Sequence, residues 1–266
     1  MHFVGSHQGA IRSLHLDPTM PHDMNGFDPF SRFPKQRPPL PEAHRARYIT
    51  DYLENRHGQT AALALAKRLE AWMHRQVARA GSGDRVLEIG AGTLNHLVYE
   101  CRHTIYDVIE PFEELWAGSP RLKAVRNLYR DIRNIPLTQR YDRILSVAVL
   151  EHLTELPFVV ARSGLLLAQG GTFAAGIPSE GSLAWYIAWK YGTGILYRLR
   201  TGLDYAPLMR HEHVNDAAEI EYIVRHLFHR VRRKRFPIPL FHGSIYTVLV
   251  ATDPDLQACE TYGGAR

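Results

Sequence analysis

Two cysteines, Cys101 and Cys259, are all that 266 residues contain. So few exclude a disulfide framework and fit a reducing, cytoplasmic setting. No N-terminal apolar run has the length of a signal peptide. The longest near-apolar stretch, residues 183–199, is interrupted by Lys190, Gly192 and Gly194, so no membrane span is expected. Neither sign of charge dominates: 32 Lys and Arg against 27 Asp and Glu leave +5, with 15 histidines. That balance is too weak to imply a nucleic-acid partner by itself. No internal repeat is present, and nothing sets an oligomeric state. The start, residues 1–42, is rich in Pro, His and Asp and reads as an irregular, partly disordered arm, with Met20 and Met24 as alternative first residues.

What is present centres on one stretch. The apolar pair Val86-Leu87 runs into Glu88-Ile89-Gly90-Ala91-Gly92-Thr93, followed by Leu94-Asn95-His96-Leu97. A strand entering a Gly-x-Gly turn and then a helix is the first βα unit of a Rossmann-like domain. The glycines let the backbone turn sharply and approach a ligand. The third glycine of a dinucleotide fingerprint is replaced by Asn95. A pyrophosphate wants helix-end N–H groups and no nearby carboxylate, so Glu88 argues against NADH. A cationic ligand with an amino group and no phosphate, such as S-adenosylmethionine (SAM), suits it better.

Val86-Leu87-Glu88-Ile89-Gly90-Ala91-Gly92-Thr93 resembles the first motif of the class I SAM-dependent methyltransferases, and later segments resemble that family in order. Tyr106-Asp107-Val108-Ile109-Glu110 reads as a second strand ending in an acid, 20 residues after Gly90, the spacing of a ribose-binding carboxylate. Asp131-Ile132 follows a third short strand. Residues 141–153 resemble the fourth strand and its turn, and Leu165 to Phe173 the helix, Gly-Gly turn and fifth strand. The resemblance covers residues 84–176. It implies a Rossmann-like three-layer α/β fold with a mostly parallel sheet of about seven strands and SAM as cofactor. It implies that Glu88 holds the methionine end, that Gly90, Ala91 and Gly92 give close backbone approach, and that Glu110 binds the ribose. Asp131 and Ile132 would meet the adenine edge, and Val147 and Ala148 would line the cofactor side of strand four.

Around this core, residues 43–80 read as a helical cap, in which Tyr48, Tyr52, Asn55 and Arg56 are candidates to cover the cofactor. Residues 81–253 make the methyltransferase domain. Residues 178–212 form an aromatic-rich insertion, read as a lid that walls a substrate pocket and that also suits peripheral contact with a lipid surface. Asp216-Ala217-Ala218-Glu219 is a capping box for a helix over 217–228. Residues 231–236 and 245–251 read as closing strands, the last antiparallel, and the tail 254–266 as loose. The basic run Arg230, Arg232, Arg233, Lys234 and Arg235 is a charged edge strand in preference to a nucleic-acid site.

Methyl transfer to a hydroxyl needs alignment and a base. Glu151-His152, after strand four, recurs in similar small-molecule methyltransferases. His211 and His213 stand two apart, so a strand would place both on one face. With no third ligand in view they read as candidate bases and not as a metal site, and an insertion-borne base would give a pH dependence near histidine's usual value of about 6.5. The fourth motif lacks the Asn/Asp-Pro-Pro-Tyr/Phe signature of many amino-methylating enzymes. The expected acceptor is therefore a hydroxyl of a small molecule or glycan, in small-molecule biosynthesis. An RNA methyltransferase and a non-catalytic SAM-binding regulator are the alternatives.

Overall fold

The computed structural model describes residues 28–47, 61–100 and 105–264. Tyr48, Tyr52, Asn55 and Arg56 lie outside the described residues. Seven strands form one sheet: β1 (Arg85–Ile89), β2 (Ile105–Ile109), β3 (Asn127–Tyr129), β4 (Tyr141–Val147), β5 (Leu167–Pro178), β6 (Phe228–Pro237) and β7 (Ser244–Pro254), in the order β3-β2-β1-β4-β5-β7-β6. The first five run parallel, β7 is antiparallel to β5, and β6 is antiparallel to β7. Parallel strands are covered on both faces, which is why β4 reads as a nearly continuous buried run.

Two apolar layers sandwich the sheet. Val86, Tyr106, Leu145, Ala174 and Val248 meet Met73 and Val77 of helix α1 (Ala61–Ala78). Leu87, Ile144, Phe173 and Leu249 meet Val160, Ile223 and Cys259. These three belong to α2 (Leu156–Leu166), α6 (Ala217–Leu227) and α7 (Leu256–Gly263). Between β5 and α6 lie α3 (Leu183–Ile187), a π-helical stretch Ala188–Thr193, α4 (Gly194–Thr201) and α5 (Ala206–Glu212). Asp216 caps α6, its carboxylate accepting from Glu219 N at 2.8 Å.

Two elements depart from the sequence reading. The helix expected after Gly92 is a 3-10 turn, His96–Val98; Glu100 turns inward to Arg143 and His96 bonds Glu100, so both are buried instead of facing solvent. The tail is not loose: α7 is capped by Asp255 and buries Cys259 in the core. The arm is tied down from Asp28. Lys35 N donates to Thr154 O at 2.8 Å, the Lys35 ammonium pairs with Glu219, and Arg37 reaches the carbonyls of His152 and His211. β6 is an edge strand whose cations are drawn to acids: Arg233 and Arg235 to Glu221, and Arg230 to Asp253. No helix among the described residues is long and apolar enough to cross a membrane.

Candidate functional site

The Gly-rich turn leaves the carboxyl end of β1, beside β4, where the sheet's winding reverses and ligands of such folds bind. Gly90 N donates to Ile109 O at 2.8 Å, which holds the turn against the end of β2. Gly90 and Gly92 have φ of 69° and 51°. The Glu110 carboxylate, next along β2, accepts from Gly92 N at 2.7 Å and Phe112 N at 3.1 Å. Ala148, just past β4, holds φ of 54° although it carries a Cβ. Such strain costs about 1–3 kcal/mol and concentrates at functional sites. These features fit a ligand whose hydroxyls meet Glu110 and whose body runs along the 90–92 backbone towards Val147 and Ala148.

Gly90 has a further reason to be glycine. A Cβ there would lie 2.4 and 2.6 Å from the Val149 methyls, so the turn is interlocked with the one that leads into Glu151-His152. Gly90→Ala is expected to cost about 1–3 kcal/mol through positive-φ strain and this clash. Adding Val149→Ala should recover the clash component in urea titrations. If the double variant is no more stable than Gly90→Ala, the interlock is wrong.

Two carboxylates named from the resemblance are otherwise engaged. Glu88 is buried beneath the strand end and accepts from the Tyr106 hydroxyl at 2.8 Å. Burial pushes its pKa up to about 8, so it is largely protonated at neutral pH. A bound ammonium would reverse that. Asp131 caps the turn Ile132–Asn134, accepting from Arg133 N at 2.7 Å and pairing with the Arg133 guanidinium at 3.0 Å, and Ile132 is buried in the core.

The second part of the site is a cluster at the ends of β4 and β5. Glu151 accepts through its backbone carbonyl from Val214 N and Asn215 N, and Asn215 Nδ2 donates to the Leu150 and Leu153 carbonyls. This stitching brings His213 to His152, ring centroids 4.8 Å apart and edge to face. His152 Nδ1 lies 2.8 Å from Glu212 O. A carbonyl only accepts, so Nδ1 carries the proton and Nε2 keeps its lone pair. Burial and the neighbouring His213 push the His152 pKa down to about 4. His213 Nδ1 meets the Glu180 carboxylate at 2.7 Å, with Trp185 stacked 6.3 Å away. Burial alone would lower the His213 pKa, but the Glu180 hydrogen bond and the charges of Glu151, Glu180 and Glu212 raise it. Glu151 is buried, its Oε2 finds no partner, and burial raises its pKa to about 7. Ligand atoms of Glu151, His152 and His213 lie within 4.8 Å of one another.

The expectation that His211 and His213 share a strand face is overturned. His211 is on α5, opened by Pro207, and its Nδ1 lies 2.7 Å from Pro38 O. His213 follows the helix end and joins the cluster instead. Sequence reasoning missed Glu180 and Arg37. Glu180 had a signal, since it lies just past the carboxyl end of a parallel strand. Arg37 had none, because its partners, three backbone carbonyls and the Glu212 carboxylate at 3.8 Å, lie far along the chain.

No protein-family profile matches the chain, and no curated protein matches it in sequence. Solved structures do. A protein of Thermotoga maritima, described as a SAM-dependent methyltransferase and possible histamine N-methyltransferase, aligns at TM-score 0.54 with 18% identity, over 77% of this chain and 96% of that one. A SAM-dependent methyltransferase from Archaeoglobus fulgidus aligns at 0.53 with 14% identity, over 77% and 99%. The chain has the class I SAM-dependent methyltransferase fold. The N-methyltransferase NodS of Bradyrhizobium japonicum, solved with S-adenosyl-L-homocysteine, aligns at 0.50 with 15% identity, over 75% and 91%. Within this fold the Gly90–Gly92 turn and Glu110 stand at the carboxyl edge of β1 and β2, and the histidine cluster stands at that edge of β4 and β5.

Proposed function

We propose that the chain is a SAM-dependent methyltransferase that methylates a hydroxyl of a small molecule or sugar, with His152 accepting the proton. The observation that carries the cofactor is the Glu110 carboxylate against Gly92 N at the β1/β4 reversal. Bound there, SAM supplies a methyl group made electrophilic by its sulfonium. Glu110 would accept from ribose hydroxyls and the 90–92 backbone would border the methionine. Glu88, ionised by the ammonium, would complete that end, and Asp131 and Ile132 would border the adenine. His152 Nε2 supplies the lone pair for an acceptor hydroxyl, and Glu151, His213 and Glu180 set its orientation and field. Trp185 walls the acceptor side.

A nitrogen acceptor is the second reading, because the Thermotoga and Bradyrhizobium neighbours carry N-methyltransferase in their descriptions. An amine also needs a base to leave its ammonium form, so the same histidine serves, and an acceptor panel of alcohols and amines separates the two. The basic run gives RNA little support, since Arg230, Arg233 and Arg235 are ion-paired on the edge strand.

Calorimetry tests the cofactor. SAM and S-adenosylhomocysteine should bind. Glu110→Ala should weaken both by about 1–3 kcal/mol, the cost of leaving polar groups unpaired. No heat with either ligand on folded protein would overturn the proposal.

A further inference from the structure

The helical insertion carries an apolar stripe that none of the described residues covers. Leu183, Ile187, Tyr191, Ile195 and Leu199 are all exposed and recur every four residues, with Leu199 at 79% and Tyr191 at 61% exposure. On a pure α-helix, with about 3.6 residues per turn, a four-residue repeat drifts steadily around the axis. Here the π-helical stretch Ala188–Thr193 lies in the middle of the stripe. Its wider turn carries the drift back, so α3 and α4 present their apolar residues on one side. Tyr186 and Leu196 border the stripe and are exposed too. The turn Phe241–Gly243 packs beside α3, and near it Ile238 and Leu240 add two more exposed side chains.

Charge says what the stripe fits. From Gly181 to Leu203 there is no carboxylate, while Lys190, Arg198 and Arg200 are present and exposed. A second copy of the chain is a poor occupant, because a two-fold contact would set each patch against itself and bring these cations face to face. An anionic lipid surface complements both features: apolar side chains enter the headgroup boundary, tyrosines sit at its level, and cations meet phosphates.

We infer that α3, the π-helical stretch and α4 dock the protein on an anionic lipid bilayer, lying in its interface without crossing it. The same segment carries Trp185, which stacks on His213, so docking places the bilayer beside the wall of the candidate site. The inference stands without the methyltransferase reading.

Co-sedimentation tests it, using vesicles of phosphatidylcholine alone and of phosphatidylcholine mixed equally with phosphatidylglycerol. The full chain should pellet with the anionic vesicles and far less with the neutral ones. Ile195→Asp combined with Leu199→Asp should reduce the partition coefficient about tenfold or more, since two buried anchors are lost and two like charges added. Lys190→Gln and Arg198→Gln should each reduce it roughly fivefold and flatten its salt dependence. All these side chains are exposed, so circular dichroism and the thermal midpoint should stay unchanged, which separates lost docking from lost folding. No partition of the full chain at low salt would overturn the inference. So would a self-associated full chain that the double aspartate variant splits into monomers without changing its vesicle binding.

Discussion

His152→Ala should lower the proposed methyl transfer by about 10²–10⁴-fold, the usual worth of a general base, and should leave SAM affinity where it was. The Nδ1 proton is committed to Glu212 O, so Nε2 can only accept. Burial and His213 hold the His152 pKa down, at about 4. The sign follows directly. The neutral ring is the active form, so the rate should be flat between about pH 6 and 8 and fall only as pH drops towards the depressed pKa, not through the ordinary value of about 6.5. This replaces the inflection near 6.5 expected of an insertion-borne base. His213→Ala removes a neighbouring cation and should move the acidic limb upward. His211→Ala should change nothing, since its ring holds Pro38 O. Turnover should survive dialysis against EDTA. Loss of turnover restored by a divalent cation would reassign Glu151, His152 and His213 as its ligands, and full activity in His152→Ala would remove the base.

The sheet was legible because its signals are local. A buried parallel strand is a short apolar run closed by a turn, and five such runs met β1 to β5 close to where the motifs put them. The Asp216 cap was equally local. Failures came where a polar residue serves another residue far along the chain. The segment after Gly92 read as a helix because nothing nearby shows that Arg143, on β4, draws Glu100 in, with His96 bonded to it. The histidines at 211 and 213 were given a strand's period of two, yet Pro207 at the first turn of α5 marked a helix start. In the tail, Leu256, Cys259 and Gly263 already had helical spacing behind Asp255, a signal passed over. The arm is different in kind. Arg37 and Lys35 grip backbone carbonyls, which every residue has, and pair with Glu212 and Glu219 more than 170 positions away, so no local pattern announces them. Glu151, His152 and His213 were therefore readable as candidates, while their meeting in one cluster and its closure by Glu180 were not.

Arg143→Ala should be strongly destabilising, by about 3–5 kcal/mol, as expected when one partner of a buried ion pair is removed. The guanidinium meets Glu100 at 2.7 and 2.9 Å and donates through Nε to Ala80 O and through Nη2 to Ala78 O, each at 2.9 Å. It thus neutralises a buried carboxylate and satisfies carbonyls at the end of α1, where a cation also suits the helix dipole. Glu100 accepts in turn from His96 at 3.1 Å, and His96 meets His74 of α1 at 2.8 Å. Burial alone would raise the Glu100 pKa, but His96 and Arg143 together hold it below the usual carboxylate range. Its stabilising charge is therefore present above the ordinary pKa and lost as pH falls through the depressed one. Without Arg143 that carboxylate stays buried against a neutral imidazole, and α1 loses its anchor to β4. Replacing both partners, Arg143→Met with Glu100→Leu, removes the charge and its counter-charge together, so the double variant should cost clearly less than the sum of the singles. Urea unfolding of the four proteins measures this. If Arg143→Ala unfolds at the same midpoint as the parent, or the double variant costs the full sum, then the ion pair is incidental and apolar packing alone holds α1 to the sheet.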